Sequence, residues 1–142
     1  MRTNIFIDAN IIIDLLTNRE PFASEAALLF EFVKAKKVTA FTSANCITNI
    51  HYVLSSVSKQ RNVREKVADA RKLLDLVATD ADIVDKALTS DFADFEDAIQ
   101  YYSAISCDAD YIVTRNPSDY RKSTIRIVNA EEMNRIIEGS SG

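Results

Sequence analysis

The sequence predicts an α/β protein in which helices wrap a mainly parallel β-sheet. Short apolar segments rich in β-branched residues alternate with segments whose apolar residues repeat at helical spacing, and no hairpin signal separates consecutive strands. The length of 142 residues suits one domain with a substantial core and no disulfide or metal staples. We therefore expect residues 1–138 to form a single domain and residues 139–142, from the "EGSSG" end, to form a flexible tail.

The first half of the chain predicts two strands and four helices. "NIFID" has the composition of a buried strand, and the helix "ANIIIDLL" follows it and ends near Thr17. After a break at "REP", a helix begins at Phe22, and "VTAFT" forms the second strand. Ser43 or Asn45 is expected to cap the next helix. Three of these helices have apolar stripes, at Phe22, Ala26, Leu29, Phe30 and Val33; at Ile47, Ile50, Leu54 and Val57; and at Val63, Val67, Ala70, Leu74 and Val77.

The second half predicts three helices and two strands. A short helix covers Asp82 to Leu88, and "DYIVT" and "IRIV" are strands that precede the last helix, "AEEMNRII". The middle helix has its apolar stripe at Phe95, Ala98, Ile99, Tyr102 and Ile105. Ligands of such sheets bind outside the carboxyl ends of the strands, near a topological switch point. Asp8 ends the first strand and Thr114 ends the "YIVT" strand, so we expect a site between them.

The composition excludes several classes of function. A formal net charge of −4 argues against indiscriminate coating of nucleic acids but permits a local basic patch. No apolar run approaches the roughly 20 residues that span a bilayer, and no signal peptide is evident. The two cysteines do not have the spacing of metal ligands, which indicates a reducing cytoplasm. Glycine is absent before residue 139, which excludes a glycine-rich phosphate loop. Because His51 is the single histidine, a two-histidine nuclease and a three-histidine zinc site are also excluded.

Carboxylates are the remaining candidates for chemistry. Asp8 interrupts the apolar run "IFIDANIII", where a core would not hide an unpaired charge. Asp94 and Asp97 are three residues apart at the start of a helix and share a face. A structural alternative is that Asp94 is only the N-cap of that helix. If Asp97 points toward Asp8, however, the converging oxygens suit Mg²⁺ or Mn²⁺, whose charge would relieve their mutual repulsion.

Four segments in this order resemble a PIN (PilT N-terminus) domain of the toxin-type, VapC-like ribonuclease family. They are "IFIDANIIIDLL", "ITNIHYVL", "DFEDAIQYYSA" and "DYIVTRNPSDY", and the resemblance covers nearly all of residues 2–137. It implies a Rossmann-like three-layer α/β/α sandwich and Mg²⁺- or Mn²⁺-dependent cleavage of RNA. It further implies a possible antitoxin partner and a homodimer.

The resemblance also assigns site residues. Acidic positions of the family fall on Asp8 and Asp97, with Asp94 in the same segment and Asp119 in the following "SDY". The chain departs from the family pattern at Asn49, where the family usually has Glu or Asp, and at Asn116, where many relatives have Asp. An amide oxygen can coordinate Mg²⁺ but adds no neutralising charge. Asp8, Asp97, Asn49 and Asn116 are therefore the predicted metal ligands, and Asp8, Asp97, Asp94 and Asp119 the predicted catalytic residues.

Basic and polar residues near the same strand ends are candidates for binding RNA. We expect Arg115, Thr114 and Asn10 to contact the substrate, although Thr114 and Asn10 could instead orient the ligands or cap the strand ends. Arg121 and Lys122 follow the site. A second basic group is Lys59, Arg61, Arg64, Lys66, Arg71 and Lys72, for which a solvated helix face is the simpler interpretation.

Three functions remain open at this point. The first is a metal-dependent ribonuclease, and the second is a non-catalytic module of the same fold that binds RNA or a partner protein, as Asn49 would favour. A different Mg²⁺-dependent phosphotransfer enzyme fits less well, because the Asp-x-Asp and paired-acid signatures of such enzymes are missing after the first strand: the residues there are Asp8-Ala9-Asn10.

Overall fold

A computed structural model describes residues 2–57 and 62–141, except for the side chain of residue 141. Within these residues the predicted helices and strands follow one another in the expected order, and one further strand and a 3₁₀ helix are present. The strands are β1 (Thr3–Ile7), β2 (Val38–Ser43), β3 (Asp75–Val77), β4 (Tyr111–Val113) and β5 (Arg126–Val128). The α-helices are α1 (Ala9–Leu16), α2 (Phe22–Lys34), α3 (Ala44–Val57), α4 (Val63–Arg71), α5 (Ala81–Leu88), α6 (Phe95–Ser106) and α7 (Ala130–Ser141), and Pro117–Tyr120 form a 3₁₀ helix.

The five strands form one sheet in the order β3-β2-β1-β4-β5. All four pairings are parallel, with Ile5 opposite Ala40 and Ile5 also opposite Tyr111. The chain runs outward from β1 through β2 to β3 and then crosses back to β4 on the other side of β1. The topological switch point therefore lies between β1 and β4, where parallel sheets of this kind form their ligand sites.

Helices flank the sheet in a Rossmann-like three-layer sandwich, which confirms the predicted fold class. The helix α1 packs against α2 and α3, α2 packs against α7, and α3 packs against α4, whereas α5 and α6 pack on each other. The strand β1 is buried along Ile5, Phe6 and Ile7, as expected for a central parallel strand. Among the described residues, no helix is long and apolar enough to cross a bilayer.

Several elements differ from the sequence-based predictions. Val77 does not extend the stripe of α4, because that helix ends at Arg71 and residues Asp75–Val77 form β3. Val57 and Phe95 were placed in apolar stripes but are 68% and 47% exposed. The helix α7 continues through Gly139 to Ser141, beyond the predicted end of "AEEMNRII".

Candidate functional site

Asp8 stands at the carboxyl end of β1 and begins helix α1. It is the N-cap residue, with extended backbone angles and a carboxylate Oδ1 that accepts a hydrogen bond of 2.8 Å from the amide of Ala9. Its own amide donates to the carbonyl of Val113 in β4 at 2.9 Å, so Asp8 bridges the two strands of the switch point. The sequence thus places a carboxylate where the buried strand ends.

The other carboxylate oxygen of Asp8 is held by two buried hydroxyl groups. Thr114 donates to Oδ2 at 2.9 Å, and Tyr120 donates to the same oxygen at 3.0 Å. Burial raises the pKa of Asp8, while the hydrogen bonds from Thr114, Tyr120 and Ala9 oppose that rise. The carboxylate is therefore fixed in orientation by donors from three different segments.

Tyr120 is the main site residue that the sequence analysis missed. It is 1% exposed, at the end of the 3₁₀ helix, and it reaches Asp8 across 112 residues of sequence. The segment "SDY" drew attention only to Asp119. A tyrosine beside a predicted acidic ligand is the signal that was available, because a buried hydroxyl needs a polar partner.

Asn10 and Thr114 form a chain of hydrogen bonds that leads to Asp8. The amide of Asn10 donates to Oγ1 of Thr114 at 3.1 Å, and the Asn10 Oδ1 accepts from the backbone amide of Arg115 at 3.2 Å. Thr114 is fully buried, and its hydroxyl is hydrogen-bonded to Asp8, to Asn10 and to the amide of Asn116, so a contact of its side chain with RNA stays a prediction. These two residues orient the carboxylate of Asp8, which is the alternative that the sequence left open.

Asp94, Asp97 and Asp119 line one cavity of about 410 Å³, whose wall also contains Ser118, Arg121 and Lys122. Asp94 is the N-cap of α6, and its Oδ1 accepts a hydrogen bond of 3.0 Å from the amide of Asp97. The capping role is therefore confirmed, and it coexists with a place at the cavity. Asp8 and Asn49 are not among the residues that line this cavity.

Electrostatics nevertheless connects Asp97 to Asp8. Burial raises the pKa of Asp97 from 3.8 to about 7, and the negative charges of Asp94, Asp119, Asp8 and Glu96 add to that rise, in this order. The charge of Asp119 also raises the pKa of Asp8. The charge of Asp8 therefore acts on Asp97, in a region with an excess of negative charge.

The two asparagines occupy different surroundings. Asn49 is partly buried in α3, one turn beyond Cys46, whose thiol has its pKa raised to about 11 by burial and by the charge of Asp8. Asn116 is exposed at the start of the 3₁₀ helix, and its backbone amide donates to Thr114 at 3.2 Å. Within residues 2–57 and 62–141, no group of three or more His, Cys, Asp or Glu side chains is placed to hold a metal ion.

Arg115 makes a structural ion pair. Its Nε lies 2.7 Å from Oδ2 of the fully buried Asp14, although the N–H is not aligned for a hydrogen bond. Its guanidinium carbon lies 4.6 Å from the centre of the Phe22 ring, a cation–π distance. Arg115 also lines a different cavity, with Phe22 and Glu25. The cations at the acidic cavity are Arg121 and Lys122 instead.

Two residues of the second basic group make local contacts at the end of α4. Lys59 and Arg61 lie outside the described residues. Arg71 donates to the carbonyl of Leu74 at 3.0 Å, and Lys72 pairs with Asp69 at 3.3 Å. These local contacts are typical of a solvated helix face.

Comparisons with known proteins agree with this fold. A model of the PIN domain family matches residues 4–118. Ribonuclease VapC1 of Aquifex aeolicus (strain VF5) is 26% identical over 133 residues, which cover 90% of this chain and 91% of that protein.

Solved structures share the fold at low sequence identity. A toxin–antitoxin complex from Klebsiella pneumoniae matches with a TM-score of 0.67 and 19% identity, over 89% of this chain and 97% of that one. VapBC2 from Rickettsia felis, bound to a DNA fragment from its promoter, matches with a TM-score of 0.64 and 14% identity, over 89% and 98% of the two chains. Since the family model covers most of the chain and the parallel sheet places Asp8 at its switch point, the protein belongs to the PIN domain family.

Proposed function

We propose that the protein is a divalent-metal-dependent endoribonuclease that cleaves RNA beside Asp8 and Asp97. The observation that carries this proposal is the oriented carboxylate of Asp8 at the switch point, coupled electrostatically to Asp97 at the acidic cavity. The similarity to a protein named as a ribonuclease supports the choice of substrate.

The carboxylate oxygens of Asp8 and Asp97 suit Mg²⁺ or Mn²⁺, and Mg²⁺ does not need a preformed cage of protein ligands. Mg²⁺ is usually bound by one or two carboxylates plus waters and substrate phosphates. Burial and acidic neighbours disfavour the charged form of Asp97, and a divalent cation would offset that repulsion. Asp8 and Asp97 would hold the ion, with Asp119 or Asp94 beside it and with Asn49 and Asn116 as candidate neutral ligands.

Each group of the chain has a distinct part in phosphodiester hydrolysis. A divalent cation, when bound, polarises a phosphoryl oxygen and lowers the pKa of water. Thr114, Tyr120 and Ala9 keep the Asp8 carboxylate oriented, so that little reorganisation is needed during the reaction. Arg121 and Lys122, in the wall of the same cavity, would neutralise phosphates on either side of the scissile bond.

We further propose that the protein works in the cytoplasm as the toxin of a toxin–antitoxin pair. The structures described as a toxin–antitoxin complex and as VapBC2 share its fold over most of their length, which supports a protein antitoxin as partner. A homodimer remains part of this proposal.

A second function is a non-catalytic module that binds RNA or a partner protein. Two observations favour it: an amide at position 49, and the lack of a three-ligand metal group in the described part of the chain. The two functions predict different results with the same protein and the same RNA.

The test is cleavage of a mixed RNA pool with Mg²⁺, with Mn²⁺ and with excess chelator. We expect cation-dependent cleavage that Asp8→Asn and Asp97→Asn each reduce by about 100-fold or more, the size of a lost electrostatic contribution to a transition state. Lys72→Ala is a matched surface control, because Lys72 pairs only with its helical neighbour Asp69 among the contacts described. RNA binding without cleavage under any of the three conditions would instead establish the non-catalytic module.

A further inference from the structure

Tyr120 distinguishes the two oxygens of Asp8. Each carboxylate oxygen offers about two lone pairs to donors or cations. The Oδ2 atom accepts hydrogen bonds from Thr114 at 2.9 Å and Tyr120 at 3.0 Å, so both of its lone pairs are used. The Oδ1 atom accepts one hydrogen bond, from the amide of Ala9, and keeps one lone pair.

We infer that Tyr120 is a positioning residue that restricts Asp8 to binding a cation through Oδ1 alone, and that it thereby favours Mg²⁺ and Mn²⁺ over Ca²⁺. This inference rests on the proposed function. Mg²⁺ requires near-ideal octahedral geometry, whereas Ca²⁺ accepts more oxygens and often binds both oxygens of one carboxylate. A carboxylate with a single free lone pair suits the smaller ion.

Burial makes this arrangement persistent. Tyr120 is 1% exposed and Thr114 is fully buried. Bulk water therefore cannot replace Asp8 as the hydrogen-bond partner of either hydroxyl unless the backbone moves. The 3₁₀ helix that ends at Tyr120 also contributes Ser118 and Asp119 to the wall of the acidic cavity. The same short element therefore holds the carboxylate of Asp8 and forms part of the wall of the acidic cavity.

The substitution Tyr120→Phe removes the hydroxyl and keeps the ring. It frees one lone pair on Oδ2 and allows both oxygens of Asp8 to face a cation. We expect the affinity for Ca²⁺ relative to Mg²⁺ to rise by about tenfold, which corresponds to ~1.4 kcal/mol. Tyr101→Phe is the matched control, because the buried hydroxyl of Tyr101 is paired with Thr124 at 2.9 Å and not with a carboxylate.

Calorimetric titrations of the metal-free protein with Mg²⁺, Mn²⁺ and Ca²⁺ test the inference. The wild type and Tyr101→Phe should bind Mg²⁺ and Mn²⁺ more tightly than Ca²⁺, and only Tyr120→Phe should lose that preference. An unchanged affinity ratio in Tyr120→Phe, or an equal change for all three ions, overturns the role of Tyr120 while leaving the nuclease proposal intact.

Two further outcomes are also decisive. A wild-type preference for Ca²⁺ overturns the inference even if thermal unfolding shows that Tyr120→Phe does not fold. If the wild type binds none of the three ions, or if Asp8→Asn binds them as well as the wild type does, the metal site at Asp8 is wrong. The inference about Tyr120 then falls with it.

Discussion

The raised pKa of Asp97 makes the stability of the metal-free protein depend on pH. Its folded-state value of about 7 lies above the ordinary value of 3.8, because burial and four neighbouring carboxylates disfavour its charge. A group of this kind stabilises the fold fully below its unfolded-state pKa, and the contribution is lost as the pH rises through the folded-state value. Asp8 shifts in the same direction.

We therefore expect wild-type stability, in the presence of chelator, to fall between about pH 4 and about pH 7 more steeply than that of Asp97→Asn. Denaturant midpoints across this range measure the difference. Added Mg²⁺ should restore the wild type most at the upper end of the range, where the carboxylates are ionised. Parallel curves for the two proteins would show that Asp97 does not have the raised pKa.

Asn49 provides a second test at the scale of one residue. If its side chain faces the same ion as Asp8 and Asp97, Asn49→Asp adds a negative charge with little change of shape. We expect about tenfold tighter Mg²⁺ binding, a gain of ~1.4 kcal/mol. Calorimetry of the wild type and Asn49→Asp measures it, with Asp8→Asn as the variant that should lose binding. Unchanged affinity in Asn49→Asp would place Asn49 outside the site.

Short-range and long-range contacts differ in how well the sequence predicts them. The carboxylate at the strand end, the cap by Asp94 and the cap by Ser43, whose hydroxyl accepts from the amide of Cys46 at 2.9 Å, follow from local rules. The contact between Tyr120 and Asp8 joins residues 112 positions apart, so the sequence around Tyr120 can indicate a buried hydroxyl but not its partner. The sequence therefore indicated which carboxylates matter but missed one of the donors that hold Asp8.

At the scale of elements, α6 combines capping and charge at its first turn. Asp94 caps the helix, and its charge raises the pKa of Asp97. One element that the sequence missed is β3, because Asp75–Val77 is only three residues long and its first two residues are exposed. Such a segment has too few residues to display the period-2 alternation of a strand, and Val77 fell into the helical repeat predicted for α4.

The two effects of Asp94 are separable by substitution. Asp94→Ala should cost about 1 kcal/mol of unfolding free energy, because the N-cap is lost, whereas Asp94→Asn should cost only a few tenths. Both should lower the pKa of Asp97, which an NMR titration of its carboxyl group would measure. Asp80 caps α5 in the same way, at 3.0 Å from the amide of Ile83, so Asp80→Ala is the matched control. Asp80→Ala should lose similar stability and leave the pKa of Asp97 unchanged. If Asp80→Ala changed the pKa of Asp97 as much as Asp94→Ala does, the charge of Asp94 would not be the cause of the change.

At the scale of the whole molecule, the strand order brings distant segments to one edge of the sheet. The alternation of strands and helices predicted a parallel sheet, and the order β3-β2-β1-β4-β5 places the ends of β1 and β4 side by side. The sequence did not predict how Arg115, which follows β4, would be used. It pairs with Asp14 of α1 and packs on Phe22 of α2, so a residue expected at the substrate joins three parts of the fold.

The last prediction concerns this ion pair. Arg115→Ala leaves Asp14 buried without its partner, and removing one member of a buried pair typically costs about 3–5 kcal/mol. Burial already raises the pKa of Asp14, and Arg115 opposes that rise. In Arg115→Ala the folded-state pKa should therefore rise further, and the loss of stability should grow as the pH increases.

Adding Asp14→Asn to Arg115→Ala should remove most of the pH-dependent loss, because no charge is then buried alone. Denaturant unfolding of the two single variants and the double variant, at a low and a neutral pH, measures the coupling between the two residues. Arg135→Ala is the control, since Arg135 pairs with Glu131 on an exposed face of α7, where a surface pair contributes at most about 1 kcal/mol. If Arg115→Ala were as stable as the wild type but bound RNA more weakly, Arg115 would be a substrate contact and not a structural link between β4, α1 and α2.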